Sequence, residues 1–215
     1  MHRIFPNLYR FDFGPRGKDN HMSHSYLLVR KTGNLLVCHC NRGMGVLDYA
    51  DEIDKLGGID AQFVPHFHDA KRGDLHQMLY DRFGCEICYH EEERRSIRTK
   101  TKCPEREYGD EGLKLGSDFE AHYFPGHTPG MSVFTWKHRG KRFLFPSHVV
   151  GLDEDEWRVS FAPHMFPKQK PRFMELAKMD VDYWVRGGST EGKKEYHALS
   201  TTEKKALRKT LRDQC

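Results

Sequence analysis

The sequence predicts a mixed α/β (α+β) fold in a single domain spanning residues 1–215. Strand-like apolar runs and helical patterns are mixed along the whole chain, and neither an internal repeat nor a low-complexity linker interrupts them. Hydrophobic residues make up 37% of the 215 residues and charged residues 31%, which is typical of a folded domain with one sizeable core.

The first half of the chain predicts the element order β-β-α-β-α-β. Two apolar runs in 24–40 predict a hairpin whose turn lies at 31–34. Apolar residues at helical spacing predict helices over 45–58 and 73–84, and a glycine closes each. Between these helices, residues 59–68 predict a strand that runs into a loop, and a further strand is predicted at 85–90.

The second half predicts further strands and two helices. The strands are expected at about 118–124, 131–137, 142–146 and 181–185. One helix is expected near 171–179, and a second one over 201–214, where threonines precede a charged helical pattern.

Charge and apolar patterning argue against nucleic acid and membrane as partners. The net charge is +4, but acidic and basic residues are interleaved, as in residues 91–107, which predicts a solvated surface rather than a nucleic-acid groove. No apolar run approaches 18 residues, and the first residues lack the apolar core of a signal peptide. We therefore expect a cytoplasmic protein.

Six cysteines are expected to be free thiols rather than disulfides in a cytoplasmic protein. A zinc site built from Cys38 and Cys40 together with Cys85 and Cys88 is an alternative. Each pair lies in a strand-like apolar stretch, where buried thiols are common, and this favours a structural role.

Three loops share one pattern, in which a strand ends and histidine follows among proline or glycine. They are "FVPHFHDAKRGD" (63–74), "YFPGHTPGMSVF" (123–134) and "FLFPSHVVG" (143–151). Such loops are where binding and catalytic groups are positioned by a rigid scaffold.

The first loop places His66 and His68 two residues apart, so both side chains point to the same side. They form either the start of a metal site or a pair of structural histidines at a strand end. His127 would add a third imidazole, and zinc accepts three histidines with a fourth position for water. The two proline–glycine turns around His127 favour a functional role. His24 and His164 are weaker candidates for lining a pocket.

These motifs resemble those of the metallo-β-lactamase fold superfamily over roughly residues 20–190. "FPGHTPGMSVF" is the most specific match, followed by the H-x-H pair with its Gly-Asp-Leu helix and the strand ending "YHEEE". The resemblance implies a four-layer αββα sandwich with two mixed β-sheets.

The resemblance also implies a metal site, but with departures from the family's H-x-H-x-D-H motif. His66, His68 and His127 match the three histidines that hold one metal ion. Two ligands of a second ion are missing, because Ala70 and Lys71 occupy the positions of the aspartate and the last histidine of that motif. Asp69 lies one residue before the position of the family's aspartate.

Two further second-ion ligands are also replaced. His148 stands for the bridging aspartate, and a later histidine is replaced in the Gly188-Ser189 region. A single ion is therefore expected, with His148 as a possible fourth ligand.

These residues imply a mononuclear metal-dependent hydrolase that uses a metal-activated water on an ester, thioester or lactone. The cofactor is one divalent metal ion, zinc first, with iron, nickel or manganese as alternatives. Asp69 is a candidate base or an orienter of a ligand histidine. Lys71 is a candidate for binding a substrate carboxylate or stabilising an oxyanion, and His148 a ligand or proton shuttle.

The alternative is an inactive metal- or ligand-binding pseudoenzyme, because the aspartate that orients water between two metals is lost. A redox role is a third hypothesis, weakened because the carboxylates that usually help hold iron are largely missing. The expected partner is a small-molecule substrate, and a homo-oligomer is possible.

Overall fold

The structure is a computed structural model, and it describes residues 1–16, 21–38, 45–70, 73–153, 156–160, 163–189 and 196–215. The chain forms two compact units, each built on a large β-sheet. Unit 1 comprises Met1–Tyr108 and Gly187–Lys193, and unit 2 comprises Gly109–Arg186 and Lys194–Cys215. The prediction of one domain over residues 1–215 concerns the relation between these units, and it stays a prediction.

The sheet of unit 1 is mixed. Its strands are β1 (His2–Phe5), β2 (Leu8–Arg16), β3 (His21–Leu28), β4 (Leu35–Cys38), β5 (Ala61–Phe63), β6 (Glu86–His90), β7 (Glu105–Tyr108) and β15 (Gly188–Ser189). They follow the order β1-β2-β3-β4-β5-β6-β7, and β15 pairs with β3. Neighbours from β1 to β4 are antiparallel, whereas neighbours from β4 to β7 are parallel.

Three helices connect the parallel strands of unit 1, because a parallel pair cannot be joined by a tight turn. They are α1 (Ala50–Lys55), α2 (Gly73–Phe83) and α3 (Arg94–Arg98). Each helix buries apolar side chains against the sheet. These side chains, together with those of β2, β3 and β4, form one core cluster that includes Phe11, Leu27, Leu36, Ile53, Leu75, Leu79 and Ile97.

Unit 2 contains a second mixed sheet and a separate strand pair. The sheet has β8 (Leu113–Leu115), β9 (Phe119–Tyr123), β10 (Ser132–His138), β11 (Lys141–Phe145), β14 (Tyr183–Val185) and β16 (Tyr196–Ala198), in the order β16-β14-β11-β10-β9-β8. The separate pair is β12 (Val150–Asp153) with β13 (Glu156–Val159). The helices α4 (Phe166–Lys178) and α5 (Thr201–Asp213) bury Phe173, Leu176, Leu207 and Leu211 in the core of this unit.

Most of the predicted elements are confirmed, and two helices differ in where they begin. The helix predicted over 45–58 is shorter, because a 3-10 turn precedes α1 and the left-handed Gly57 and Gly58 (φ 101° and 76°) follow it. The helix predicted near 171–179 begins at Phe166. A proline already occupies its first turn, so Pro171 lies inside α4 rather than at its start.

Several strands were not predicted, above all the N-terminal hairpin of β1 and β2. Asn7 turns this hairpin with a φ of 67°, a conformation that asparagine tolerates better than most residues. The predictions also omitted β7, β8, β12, β13, β15 and β16, all of which have at most four residues. Short strands carry too few residues for an alternating pattern to be recognised.

The charged segment 91–107 is largely exposed and charge-paired, as its interleaved charges predict, although Glu93, Ile97, Thr101 and Cys103 within it are buried. It contains a 3-10 turn, α3 and most of β7. Arg94 and Arg98 form ion pairs with Glu107 and Glu105 across these elements. Among the described helices, none has the length and apolar character needed to span a membrane.

Candidate metal centre

The H-x-H pair of unit 1 lies in a tight turn that follows β5. The backbone N–H of Asp69 donates to the carbonyl of His66 at 3.0 Å, and that of Ala70 donates to Phe67 at 3.1 Å. These bonds fold the chain back directly after Pro65. The turn therefore holds His66 and His68 close together, with their ring centroids 5.4 Å apart.

Asp69 contacts the first of these histidines. Its Oδ2 lies 3.3 Å from Nε2 of His66, and both residues are buried, with 7% and 1% of their surface exposed. A carboxylate on one ring nitrogen fixes the orientation of an imidazole and raises its basicity. The geometry thus places Asp69 where it can orient His66, and Lys71 lies outside the described residues.

Two buried polar groups hold the turn from outside. Glu93, which directly precedes α3, accepts a hydrogen bond from the backbone N–H of Phe67 at 2.8 Å. His76 on α2 hydrogen-bonds the backbone of Asp69, and its Nδ1 lies 2.7 Å from Oε1 of Gln62 on β5. Sequence reasoning did not find these residues, because no local pattern marks one glutamate of three or one histidine on a helix as buried.

His127 of unit 2 lies in the loop between β9 and β10. The N–H of Phe124 donates to the carbonyl of Met131 at 2.8 Å, and the N–H of Gly126 donates to Thr128 at 3.0 Å. A side chain at Gly126 would overlap the amide of Gln169, which α4 places fully buried against the loop. A larger residue next to His127 would therefore force the buried side chain of Gln169 to move, whereas the side chain of His127 itself is exposed.

His148 lies beside His127 within unit 2. It follows β11 in a turn where the N–H of Val149 donates to the carbonyl of Pro146 at 3.0 Å. Ser147 in this turn has a φ of 51°, in the left-handed region that non-glycine residues rarely adopt. The turn leaves His148 exposed, with its ring centroid 4.9 Å from that of His127.

His24 and His164, the two weaker candidates for lining a pocket, differ in burial. His24 on β3 is 1% exposed, and its Nδ1 lies 2.7 Å from Oδ1 of Asp12, which Arg10 also contacts. Burial opposes ionisation of Asp12, but hydrogen bonds from His24 and Arg10 outweigh it and hold the pKa of Asp12 below its usual value. His24 therefore belongs to a buried polar network of unit 1, whereas His164 is exposed in unit 2.

The cysteines described by the structure are free thiols. Cys85 and Cys88 are both fully buried. Burial raises the pKa of Cys85 to about 12 and raises that of Cys88 further, so both stay protonated. Zinc binds the thiolate form, which makes these two poor ligands. The side chains of Cys38 and Cys40, the other half of the alternative zinc site, lie outside the described residues.

Comparison with solved structures identifies the fold. SMB-1, a metallo-β-lactamase solved with mercaptoacetic acid, gives a TM-score of 0.66 at 18% identity, covering 99% of this chain and 93% of that chain. The FEZ-1 metallo-β-lactamase from Legionella gormanii gives 0.65 at 18% identity, with the same two coverages. A B3 metallo-β-lactamase with an active-site glutamic acid gives 0.65 at 18% identity, covering 99% and 87%.

No protein-family model matches the chain, and comparison with curated proteins finds no similar sequence. The structural likenesses are nevertheless close over nearly the whole chain. They show that the chain has the metallo-β-lactamase fold, with the mixed α/β class and the two mixed β-sheets that its motifs implied.

Proposed function

We propose that the protein is a metal-dependent hydrolase that binds one divalent metal ion through His66, His68, His127 and His148. The observation that carries this proposal is the occurrence of two close imidazole pairs. The first pair lies in the turn that follows β5 of unit 1, and the second is formed by the loop after β9 and the turn after β11 of unit 2, in a metallo-β-lactamase fold.

The spacing within each pair fits a shared ion. Zinc–nitrogen bonds are about 2.1 Å, so two imidazoles on one tetrahedral ion have ring centroids about 5 Å apart. The observed separations are 5.4 Å for His66 with His68 and 4.9 Å for His127 with His148. Imidazole nitrogens suit zinc, iron and nickel, and we propose zinc, with manganese as a further alternative.

A single ion is proposed because the positions that resemble the second-metal ligands carry other groups. Ala70 is fully buried in the apolar core of unit 1, so this position faces hydrophobic side chains and offers no ligand. In this proposal Lys71 supplies a fixed positive charge in place of a second cation, where it would bind a substrate carboxylate or an oxyanion.

When bound, the ion supplies Lewis acidity that activates water for attack on an ester, thioester or lactone. The chain's own residues would orient the ligands and move the protons. In this proposal Asp69 orients the ring of His66 through its 3.3 Å contact at Nε2, as carboxylates commonly do for metal-binding histidines. His148, which is exposed, would either bind the ion or carry a proton to and from solvent.

An inactive metal- or ligand-binding pseudoenzyme is the second candidate. Four imidazoles around one ion would close the coordination sphere, and closed zinc sites are structural. In either case we propose a small-molecule partner rather than nucleic acid or membrane, a cytoplasmic location and a possible homo-oligomer.

Metal content per chain, measured by plasma mass spectrometry on protein purified without chelator, tests the proposal. We expect about one equivalent of metal in the wild type and loss of that metal in a His66→Ala/His127→Ala variant. His2→Ala is the control, since it removes an exposed histidine that the proposal does not place at the metal or in the pocket. Equal metal in all three proteins, or none in the wild type, would reject the proposed site.

Hydrolysis assays on the metal-loaded protein then separate the two candidates. Cleavage of ester, thioester or lactone substrates that is lost in His66→Ala/His127→Ala and kept in the control supports the hydrolase. Bound metal without cleavage of any of these substrates supports the pseudoenzyme.

A further inference from the structure

Glu93 is a buried carboxylate beside the H-x-H turn. It is the last of three consecutive glutamates, and it is only 1% exposed, whereas Glu91 and Glu92 are exposed. Removing a carboxylate from water is costly unless hydrogen bonds or charges compensate for the lost hydration. Its burial therefore points to a specific partner.

That partner is the backbone between the two histidines. Oε2 of Glu93 accepts the N–H of Phe67 at 2.8 Å, and Phe67 is the middle residue of the H-x-H sequence. A hydrogen bond from a backbone amide to a carboxylate is charge-assisted, and it is roughly twice as strong as a bond between neutral groups.

The turn cannot make this bond by itself. Its internal hydrogen bonds use the N–H groups of Asp69 and Ala70 as donors. The bond from Asp69 already holds the carbonyl of the peptide that joins His66 to Phe67, and Glu93 holds the N–H of the same peptide, so its two polar groups are fixed from opposite sides. This peptide determines how the ring of His66 is directed relative to that of His68.

We propose that Glu93 is a positioning residue for the metal site. Its carboxylate fixes the Phe67 peptide and thereby sets the geometry in which His66 and His68 bind one ion. This inference rests on the proposed function and deepens it, because it assigns a role to a residue that does not itself touch the metal.

Two conservative variants separate the effect of the length of the Glu93 side chain from the effect of its negative charge. Glu93→Gln keeps an acceptor oxygen at the same distance along the side chain and removes the negative charge. Glu93→Asp keeps the charge and draws the acceptor back by one methylene. Glu92→Gln and Glu92→Asp make the same changes at the exposed neighbour and serve as matched controls.

The test is a Co²⁺ titration of the metal-free proteins, followed by the visible absorption of the bound ion. We expect Glu93→Gln to bind Co²⁺ within a few-fold of the wild type and Glu93→Asp to bind it at least about tenfold more weakly, with an altered spectrum. Both Glu92 variants should match the wild type. Exchange of the Phe67 amide proton in the metal-free proteins is the second measurement, and we expect it to be faster in Glu93→Asp alone.

The outcomes that overturn the inference are distinct from those that overturn the proposed function. Co²⁺ binding by Glu93→Asp that equals the wild type, or a larger loss of binding in Glu93→Gln than in Glu93→Asp, rejects positioning by the hydrogen bond. Absence of Co²⁺ binding in the wild type rejects the proposed metal site itself, and the positioning role with it. Urea unfolding of each variant, measured in chelator, shows whether a loss of binding instead follows from a loss of folded protein.

Discussion

Replacing His76 is expected to change how the stability of the protein depends on pH. His76 is fully buried on α2, where its ring faces the side-chain oxygen of Gln62 and the backbone of Asp69. Burial is the largest influence and lowers the pKa of His76 from its usual 6.5 to about 4. The hydrogen bond to Asp69 and the charge of Asp74 act in the opposite direction but do not outweigh it.

The magnitude follows from the difference in proton binding between the folded and unfolded chains. Between pH 6.5 and about 4 the unfolded ring is protonated while the folded ring stays neutral, so acid favours unfolding in this window. Each pKa unit of this difference is equivalent to about 1.4 kcal/mol, so the loss in the free energy of unfolding approaches about 3.5 kcal/mol once the pH falls below 4. At pH 4.5 about 2.5 kcal/mol of this loss should already be present.

The assay is urea unfolding at pH 7.5 and pH 4.5, with chelator present so that metal binding does not contribute. Wild type is compared with His76→Gln, which has a similar size and can hydrogen-bond but does not titrate. Other groups that titrate in this range are common to both proteins and cancel in the comparison. Between pH 7.5 and pH 4.5 we expect the free energy of unfolding to fall by about 2.5 kcal/mol more in the wild type than in His76→Gln.

Two results would refute this reasoning. Equal losses in the two proteins would mean that the ring of His76 has an ordinary proton affinity. A smaller loss in wild type would mean that the folded protein holds the ring protonated, with Gln62 and Asp69 both accepting from it. An NMR titration of the ring would measure its pKa directly in either case.

Three further substitutions test the surroundings of the histidines, each by urea unfolding together with metal content. Ala70→Asp restores the residue type that the resemblance expects. Because the position is buried in an apolar core, we expect it to lower the free energy of unfolding by about 3–5 kcal/mol and to bind no second ion. A second equivalent of metal would contradict this expectation. Because residue 147 has a left-handed φ, we expect Ser147→Val to lower the free energy of unfolding by about 1–3 kcal/mol and Ser147→Gly to leave it nearly unchanged. Equal stability of the two variants would mean that the backbone at this position is not strained. We expect Gly126→Ala to lower the free energy of unfolding by about 1–3 kcal/mol, because the added methyl group overlaps the side chain of Gln169. If the overlap is the cause, adding Gln169→Ala to this variant should recover part of the lost stability.

The sequence predicted the elements whose signals are local. The helix over 73–84 is confirmed as α2 (Gly73–Phe83), because its apolar spacing and closing glycine lie within one segment. The histidine loops were predicted for the same reason, since proline and glycine mark the end of the preceding strand. The fold class, inferred from the resemblance of these loops, is confirmed by the solved structures.

The sequence did not reveal what depends on contacts between distant segments. Glu93 is buried against the turn that contains Phe67 whereas Glu92 is exposed, and the segment "EEE" carries no sign of this difference. The pairing of His24 with Asp12 depends on the register of β2 against β3, in which these two residues are direct partners. The hairpin of β1 and β2 was missed, so this register was not available to the prediction.

The structure gives a physical reason for the altered metal motif. A chain that kept an aspartate at position 70 would direct a carboxylate into the core cluster of unit 1, where alanine is fully buried. The carboxylate of this turn is instead at position 69, where it contacts His66. In the proposed single-ion site, Asp69 would therefore be the partner of a ligand histidine and not a ligand of a second ion. Glu93 holds the same turn at Phe67, so two carboxylates contact the segment that carries His66 and His68.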